Sequence, residues 1–338
     1  SKRSKKSSGT VKISATSSLL QANFQTLLTQ YPSGMHINSL IAAKNFGLKD
    51  PQIIVGNGAA ELIKSLMEGL TGKIGVLHPS FEEYANRRKP EDLVPFVCQN
   101  PDYTYTADEL MEFYDKTDIK NLLIVNPDNP SGNYIPKADV IRLIAWAKQR
   151  SIKLVIDESF VDFVDMEENT TLLEQSLLNS NPHLYVVKSI SKSYGVPGLR
   201  LGILASGDAE AIATMKKDVA IWNINSFAEF YMQIYEKYKS AYAAGLTRFY
   251  QTRKKFIEDL AEISFLRVIP SQANYVLCEI TKDYTSTELT TILLEDNILI
   301  KDLSTKKGFE GKQYVRIAVR DEEDNQMLIS ALKALLLK

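Results

Sequence analysis

The sequence predicts an α/β protein whose larger domain is a mostly parallel sheet with helices on both faces. Between about residues 50 and 206, short apolar runs rich in β-branched residues alternate with segments of helical periodicity. The runs are apolar throughout rather than at every second position, as expected for strands covered on both faces. Glycine, asparagine, aspartate and lysine follow directly after several of them, where parallel sheets bind ligands.

Each predicted element is short and bounded by polar or glycine-rich turns. The predicted strands lie at residues 53–55, 74–77, 122–125, 154–156, 184–187 and 201–204, and helical periodicity is clearest at 61–67 and 140–146. Near the end of the chain, residues 314–320 alternate like a strand. A period of two would place Arg316, Ala318 and Arg320 on one face.

Composition limits the classes of function. The chain has 338 residues, enough for a large core divided between two domains. Forty basic and 41 acidic residues leave a net charge of −1, so we expect neither nucleic acid nor membrane as a partner. Cys98 and Cys278 are far apart in sequence and the three histidines are scattered, so we expect a cytoplasmic protein without a metal site.

The basic start of the chain, residues 1–12, is polar and we expect it to be disordered. Two interpretations stay open: a linker or tag, or the cut end of a longer chain that carries a fused N-terminal domain. For the remainder we expect residues 13–34 to form the N-terminal part of a small domain, 35–244 the large domain and 245–338 the C-terminal small domain.

A lysine set among hydroxyls follows the apolar run at 184–187. Lys192 follows Ser189 and Ser191, and Arg200 comes eight residues after it, with two glycines in the interval. Such a lysine suits a covalent Schiff base with an aldehyde, because a site that disfavours the protonated amine makes it nucleophilic. Hydroxyls and a guanidinium fork bind phosphate. The pattern predicts a site for a phosphorylated aldehyde.

Residues 189–200 resemble the Ser-x-Ser-Lys-x-x-Gly-x-x-Gly-x-Arg motif of class I/II aminotransferases. The resemblance implies fold type I, with a large domain beside a smaller α+β domain. It also implies pyridoxal 5'-phosphate held by Lys192, with Ser189, Ser191 and Arg200 at the phosphate. Lys188 is the competing lysine, but it lacks the downstream glycines and arginine at the family offsets.

Two further segments match the family where strands end. After the first strand, Gly58, Ala59 and Ala60 open a helix, and the resemblance implies that their N–H groups bind the cofactor phosphate. After the second strand, Phe81 stands where the family stacks an aromatic ring on the pyridine, with Tyr84 as a neighbour. Taken alone, a glycine turn or a strand-end aromatic has an ordinary structural explanation.

Three residues are implied to contact the cofactor ring. Asn129 lies in an Asn-Pro-x-Gly-type turn and would donate to the phenolic oxygen, whereas Asp157 would pair with the protonated pyridine nitrogen. Asp157 taken alone is equally well explained as a helix cap. Phe160 departs from the family, which usually has a tyrosine there, so one hydroxyl donor is missing.

Several segments resemble histidinol-phosphate aminotransferase and its relative threonine-phosphate decarboxylase. Tyr31 matches a tyrosine offered to the partner subunit's cofactor phosphate, which implies a homodimer with shared active sites. Asn274 matches a substrate-binding asparagine of the small domain. Arg316 matches the arginine that binds an anionic group of the substrate, and Arg320 is a second cation that either joins it or pairs with nearby acidic residues.

The resemblance leaves three functions to weigh. The first is transamination at Cα of a small, phosphorylated amino acid or amino alcohol, with Lys192 moving the proton and Asp157 keeping the ring cationic. The second is decarboxylation of threonine- or serine-O-phosphate, favoured by Phe160 and Arg320. The third is an effector-sensing module without turnover. The substrate, the amino donor and the pathway are not specified by the sequence.

Overall fold

The structure, a computed structural model, describes residues 14–166 and 169–337. The predicted disordered start at 1–12 lies outside these residues. The helices are α1 (Ser14–Ala22), α2 (Phe24–Thr29), α3 (Met35–Phe46), α4 (Gly58–Gly69), α5 (Ala107–Tyr114), α6 (Lys137–Gln149), α7 (Gln175–Ser180), α8 (Ile190–Ser193), α9 (Ala209–Asp218), α10 (Ser226–Ile234), α11 (Lys239–Ala261), α12 (Ser286–Glu295) and α13 (Glu322–Leu335).

The strands form two separate sheets. They are β1 (Ile53–Asn57), β2 (Ile74–His78), β3 (Leu93–Val97), β4 (Asn121–Val125), β5 (Lys153–Asp157), β6 (Leu184–Lys188), β7 (Leu201–Ser206), β8 (Leu266–Ile269), β9 (Tyr275–Ile280), β10 (Lys301–Asp302) and β11 (Tyr314–Ala318). The first sheet has seven strands in the order β1-β7-β6-β5-β4-β2-β3, and the second has four, in the order β10-β11-β9-β8. The α/β class and the mostly parallel sheet predicted from the sequence are confirmed.

Strand direction in the large sheet decides where the site forms. Strands β2 to β6 pair in parallel, whereas β7 is antiparallel to both of its neighbours, β6 and β1. Strand β1 therefore runs with β2 to β6, and β7 alone is reversed. The carboxyl ends of six strands and the amino end of β7 consequently meet along one edge of the sheet.

The large sheet is covered on both faces, which explains its continuous apolar strands. Leu122, Ile124 and Leu154 face a core shared with α3, α5, α6 and α10. The alternate residues Leu123 and Val155 face a second core with α4 and α9. Among the described residues, no helix is long and apolar enough to cross a membrane.

The second sheet is fully antiparallel and is covered by the later helices. Its core joins β8, β9 and β11 to α11, α12 and α13. Residues of α2 contact α10 of the larger unit, with the rings of Phe24 and Phe227 5.8 Å apart. The domain limits given by the sequence, including the placement of residues 13–34 with the small domain, stay a prediction.

Strands β3, β8, β9 and β10 were not among the predicted strands, and β11 differs in its length. Strand β3 was not expected, because it is half-exposed and carries Pro95, and such strands occur at sheet edges where proline is tolerated. Strand β11 ends at Ala318, so the regular alternation that was expected to continue to Arg320 stops two residues earlier.

Candidate active site

The residues predicted to bind a cofactor lie at the edge where the strands of the large sheet end. Gly58 follows β1, Phe81 follows β2 and Asn129 follows β4. Asp157 is the last residue of β5. Residues 189–192 follow β6, and Arg200 reaches the same edge because β7 runs in the opposite direction. Topology therefore collects residues that lie as far apart in sequence as Gly58 and Arg200.

Lys192 lies on the short helix α8, whose N-cap is Ser189. Its Nζ is 4.9 Å from the ring centroid of Phe81 and 4.7 Å from that of Phe160, so the amine lies beside both rings. Burial lowers the pKa of this amine, the nearby Arg316 and Arg200 lower it further, and Asp157 opposes them. A lowered pKa leaves more neutral amine, which is the nucleophilic form.

Gly58 and Arg200 form a tight pair at the start of α4. The Gly58 N–H donates to the Arg200 carbonyl oxygen at 2.7 Å. A Cβ at Gly58 would lie 2.6 Å from Arg200 Nη2, so the guanidinium occupies the space beside the glycine. The Gly58 N–H is thus already engaged in this hydrogen bond, and its donation to a phosphate stays a prediction. Gly58 also makes room for the arginine.

The remaining donors of the predicted phosphate site lie around that guanidinium. The N–H groups of Ala59 and Ala60 belong to the first turn of α4, where the helix has no carbonyl to accept them. Ser191 Oγ accepts from the Leu201 N–H at 2.7 Å, which leaves its hydroxyl proton available. Ser189 is buried nearby at the end of β6. A dianionic phosphate fits this set of donors.

Asp157 is buried, with 3 % of its surface exposed, and its hydrogen bonds come from neutral donors. The Tyr84 hydroxyl donates to Oδ2 at 2.8 Å and the Ser159 N–H donates to Oδ1 at 2.9 Å. A buried carboxylate with neutral partners favours a cation close by. A protonated pyridine nitrogen fits that requirement.

Asn129 and Arg316 are joined by a hydrogen bond, from Nη1 of the arginine to Oδ1 of the asparagine, at 2.5 Å. An arginine only donates, so the asparagine must turn its oxygen toward Arg316. Its amide NH₂ is then directed elsewhere and is available to the phenolic oxygen that the sequence assigned to it. Burial lowers the pKa of Arg316, and the nearby Tyr275 opposes this effect.

These side chains border a cavity of about 340 Å³. Its lining residues are Phe81, Asn129, Phe160, Lys192, Asn274, Tyr275, Arg316 and Ala318. Six of them were predicted as site residues from the sequence. A lysine, two aromatic rings, an amide and a partly buried guanidinium facing one cavity fit pyridoxal phosphate together with an anionic substrate.

The two predicted residues Arg320 and Tyr31 lie elsewhere. Arg320 donates from Nε to Asp324 Oδ2 at 2.6 Å, and both side chains are partly exposed. The sequence left open an ion pair with Asp321, Glu322 or Glu323, whereas the partner found here is Asp324. Tyr31 is 79 % exposed and its ring stacks on that of Trp222, with centroids 4.4 Å apart. The roles of both residues toward ligands stay predictions.

Sequence reasoning missed two contributors. Tyr84 was named only as a neighbour of Phe81, and its bond to Asp157 joins segments 73 positions apart. Tyr275 lines the cavity below Arg316, whose guanidinium carbon is 5.1 Å from the tyrosine ring centroid. Its hydroxyl donates to the Asp128 carbonyl at 2.7 Å. Tyr275 could have been found from the sequence, because it is an aromatic residue directly after Asn274.

Comparison with known proteins gives consistent matches. The chain matches the family described as aminotransferase class I and II over residues 16–332. It is 29% identical over 326 residues to L-serine phosphate decarboxylase of Sulfurospirillum multivorans, covering 94% of this chain and 82% of that protein. The crystal structure of histidinol-phosphate aminotransferase from Clostridium acetobutylicum matches with a TM-score of 0.85 and 26% identity, covering 98% of each chain.

A third relative is considerably longer than this chain. CMP-5'-(3-aminopropyl)phosphonate synthase of Streptomyces rubellomurinus is 31% identical over 315 residues, which cover 93% of this chain and 49% of the synthase. The chain thus spans about half the length of that relative.

Proposed function

Since this chain belongs to the family of class I and II aminotransferases, we propose that it is a pyridoxal-phosphate enzyme that decarboxylates a small amino acid bearing a phosphate or phosphonate group. The family resemblance, the fold and the cofactor predicted from the sequence are confirmed. The observation that supports an anionic substrate best is Arg316, a partly buried guanidinium that faces the cavity and bonds to a neutral amide.

The cofactor, when bound, withdraws electrons from Cα of an amino substrate, so that a bond at Cα breaks. The residues of the chain do the remaining work. The Ala59 and Ala60 N–H groups, the Ser191 hydroxyl and Arg200 would hold the cofactor's phosphate, Asp157 would hold its ring nitrogen, and Phe81 would pack on its ring. Lys192, whose amine lies beside the rings of Phe81 and Phe160, is placed to move a proton at Cα of the substrate.

The group that Arg316 binds separates the two candidate reactions. A partly buried guanidinium that held the α-carboxylate would stabilise it in the ground state and oppose its loss as neutral carbon dioxide. Decarboxylation is therefore favoured if Arg316 holds the distal phosphate and leaves the carboxylate free to stand perpendicular to the ring. Transamination is favoured if Arg316 holds the carboxylate and the Cα–H bond takes that position.

Relatives support decarboxylation first. One of the most similar is named L-serine phosphate decarboxylase and is matched over 82% of its length. Phe160 and the residues around it also resemble a phospho-amino-acid decarboxylase. Transamination is the second candidate, because the match to histidinol-phosphate aminotransferase extends over 98% of both chains. Asn274, on the cavity wall, would contact the substrate in either case.

A substrate panel tests the proposal. Purified protein loaded with pyridoxal phosphate is incubated with L-serine phosphate, L-threonine phosphate, histidinol phosphate and the unphosphorylated parents, with and without 2-oxoglutarate. We expect carbon dioxide and the amine product from a phosphorylated amino acid, independent of 2-oxoglutarate. Keto product that forms only with 2-oxoglutarate would establish transamination instead, and binding of an amino compound without any product would indicate an effector-sensing module.

Arg316→Gln, which keeps a hydrogen-bonding side chain, identifies the bound group. If Arg316 holds the distal phosphate, we expect kcat/KM to fall by about 10- to 1,000-fold for the phosphorylated substrate and little for its unphosphorylated parent. An equal loss for both substrates would place the carboxylate at Arg316 and would count against decarboxylation.

A homodimer is part of the proposal. Large apolar side chains lie exposed on α2, before α3 and between α9 and α10: Phe24, Leu28, Tyr31, Ile221 and Trp222 are exposed by 53, 65, 79, 77 and 46 %. Grouped exposed apolar residues are typical of a protein interface. A second copy of the chain on this surface would bring Tyr31 toward the other subunit's cofactor phosphate. Sedimentation equilibrium should give twice the chain mass.

The cytoplasmic location predicted from composition is kept as part of the proposal. Cys98 and Cys278 are both buried and unpaired, which is consistent with a reducing compartment.

A further inference from the structure

Tyr84 contacts both groups that would hold the pyridine ring. Its side chain is fully buried, and its hydroxyl donates to Asp157 Oδ2 at 2.8 Å. Its ring meets that of Phe81 edge to face, with centroids 6.2 Å apart and an interplanar angle of 82°. One buried side chain therefore fixes the carboxylate behind the ring nitrogen and the aromatic ring expected on the ring face.

The hydrogen bond runs from the tyrosine to the carboxylate and not in the opposite sense. Burial and the charge of Asp157 raise the pKa of Tyr84 well above its usual range, so the phenol keeps its proton. The Ser159 N–H occupies Oδ1 at 2.9 Å and is also a donor. Each carboxylate oxygen of Asp157 thus accepts one hydrogen bond from a neutral donor.

A ring nitrogen paired with Asp157 would share a single proton with it. The proton lies on nitrogen, leaving a cation beside a carboxylate, or on oxygen, leaving two neutral partners. In a buried site the neutral arrangement is favoured by desolvation, since charges are costly there. Donors to the carboxylate oppose this, because they bind the ionised oxygen more strongly than the protonated one.

We propose that Tyr84 is a positioning residue whose hydroxyl keeps the shared proton on the cofactor's ring nitrogen, through its hydrogen bond to Asp157. This inference rests on the proposed function, in that it takes pyridoxal phosphate as the cofactor. It does not depend on which bond at Cα breaks, because a cationic ring serves decarboxylation and transamination alike.

The test compares Tyr84→Phe with Tyr114→Phe. Tyr114 is also buried, and its hydroxyl donates to the Val76 carbonyl at 2.7 Å, away from Asp157. Each protein is loaded with pyridoxal phosphate labelled with ¹⁵N in the ring, and the nitrogen resonance is recorded without substrate. We expect wild type and Tyr114→Phe to show the protonated ring, and Tyr84→Phe to shift toward the unprotonated position.

The size of the shift follows from the lost bond. A hydrogen bond to a charged group corresponds to about 10- to 150-fold in an equilibrium, so the ratio of protonated to unprotonated ring should fall by that factor. We expect kcat to fall by about 10-fold or more while KM changes less than about threefold, because the ring charge acts on the chemical step.

A second variant covers the event that Tyr84→Phe folds poorly. Placing 3-fluorotyrosine at position 84 keeps the shape and makes the phenol a stronger donor. We expect its ring nitrogen to stay protonated to higher pH than in wild type.

An unchanged ¹⁵N resonance in Tyr84→Phe, or the same resonance shift in Tyr114→Phe, would overturn the inference. If the decarboxylase proposal fails, the wild-type protein will form a product other than the amine and carbon dioxide, but Tyr84→Phe will still change the ¹⁵N resonance of the ring nitrogen.

Discussion

Gly58→Ala tests the phosphate site at its tightest point. Gly58 has φ +72°, in the left-handed region that side chains rarely adopt. An added Cβ would lie 2.6 Å from Arg200 Nη2 and 3.1 Å from its Cζ. The methyl group would therefore strain the turn and displace the guanidinium from its place beside the start of α4.

The two effects act on different quantities. The left-handed conformation costs an alanine about 1–2 kcal/mol, which lowers the free energy of unfolding of the cofactor-free protein. Displacing Arg200 weakens a charge-assisted contact to the cofactor phosphate, a loss of about 1.5–3 kcal/mol, which corresponds to roughly 10- to 150-fold in the Kd for pyridoxal phosphate.

Gly47→Ala is the matched control. Gly47 ends α3 with φ +65°, and a Cβ there would meet nothing within 4 Å. Alanine at this position should therefore cost the same backbone strain without displacing a neighbour. Urea unfolding of both cofactor-free variants measures the strain, and cofactor fluorescence at equilibrium measures the Kd. We expect similar losses of stability and a raised Kd in Gly58→Ala alone.

Two results would refute the reasoning. Cofactor binding by Gly58→Ala at wild-type affinity would mean that Arg200 does not bind the phosphate from its observed position. An equal rise in Kd for Gly47→Ala would mean that a general loss of stability, and not the local contact, controls cofactor retention.

Further predictions concern the remaining site residues. Lys192→Ala should abolish the absorbance of the covalently held cofactor and all turnover, whereas near wild-type turnover would contradict the assignment of the lysine. Because burial lowers the pKa of Lys192 below 10.5, covalent loading of the cofactor-free protein should have its pH midpoint below that value. The free energy of unfolding should rise with pH over the same interval, since the unfolded lysine binds its proton at higher pH, and Lys192→Met should remove this rise. Tyr31→Phe should weaken cofactor retention while sedimentation still shows a dimer; a fully active monomer would count against the shared site. Arg320→Ala should reduce kcat/KM weakly and equally for phosphorylated and unphosphorylated substrates, because its partner Asp324 is partly exposed and such pairs contribute about 1 kcal/mol or less. A loss confined to phosphorylated substrates would instead make Arg320 the second anion-binding residue.

The large sheet could be predicted from the sequence because its strands are buried on both faces. Continuous apolar runs such as 122–125 and 184–187 have no reason to occur in an exposed strand, and these two were found within one residue of their predicted limits. Strand β3 lacked that signal, because an exposed edge strand needs no apolar face and tolerates Pro95. Burial, more than propensity, made the strands recognisable.

Site residues could be predicted where a motif determines their position on the backbone. They were predicted less well where a side chain has more than one possible partner. Lys192, Asn129 and Phe81 follow strand ends, so topology alone brings them together. Arg320 is four residues before Asp324, on the next helix, and period-two alternation gives no information about that pairing. The use of the Gly58 N–H by Arg200 also could not be predicted, because it depends on the distance between β7 and α4.

If Asn129 donates to the phenolic oxygen and Arg316 binds an anionic group of the substrate, as predicted, Asn129 would couple the cofactor to the substrate. Arg316 holds the Asn129 oxygen at 2.5 Å, so the amide NH₂ has one remaining orientation. With no hydroxyl on Phe160, the phenolic oxygen depends on that single amide among the residues assigned to it. A substrate anion that moves Arg316 would break its hydrogen bond to Asn129 and free the amide to rotate. An anion that leaves this hydrogen bond intact would keep the amide in place. Substrate binding at Arg316 can therefore alter the electron demand of the ring through one shared hydrogen-bonding partner.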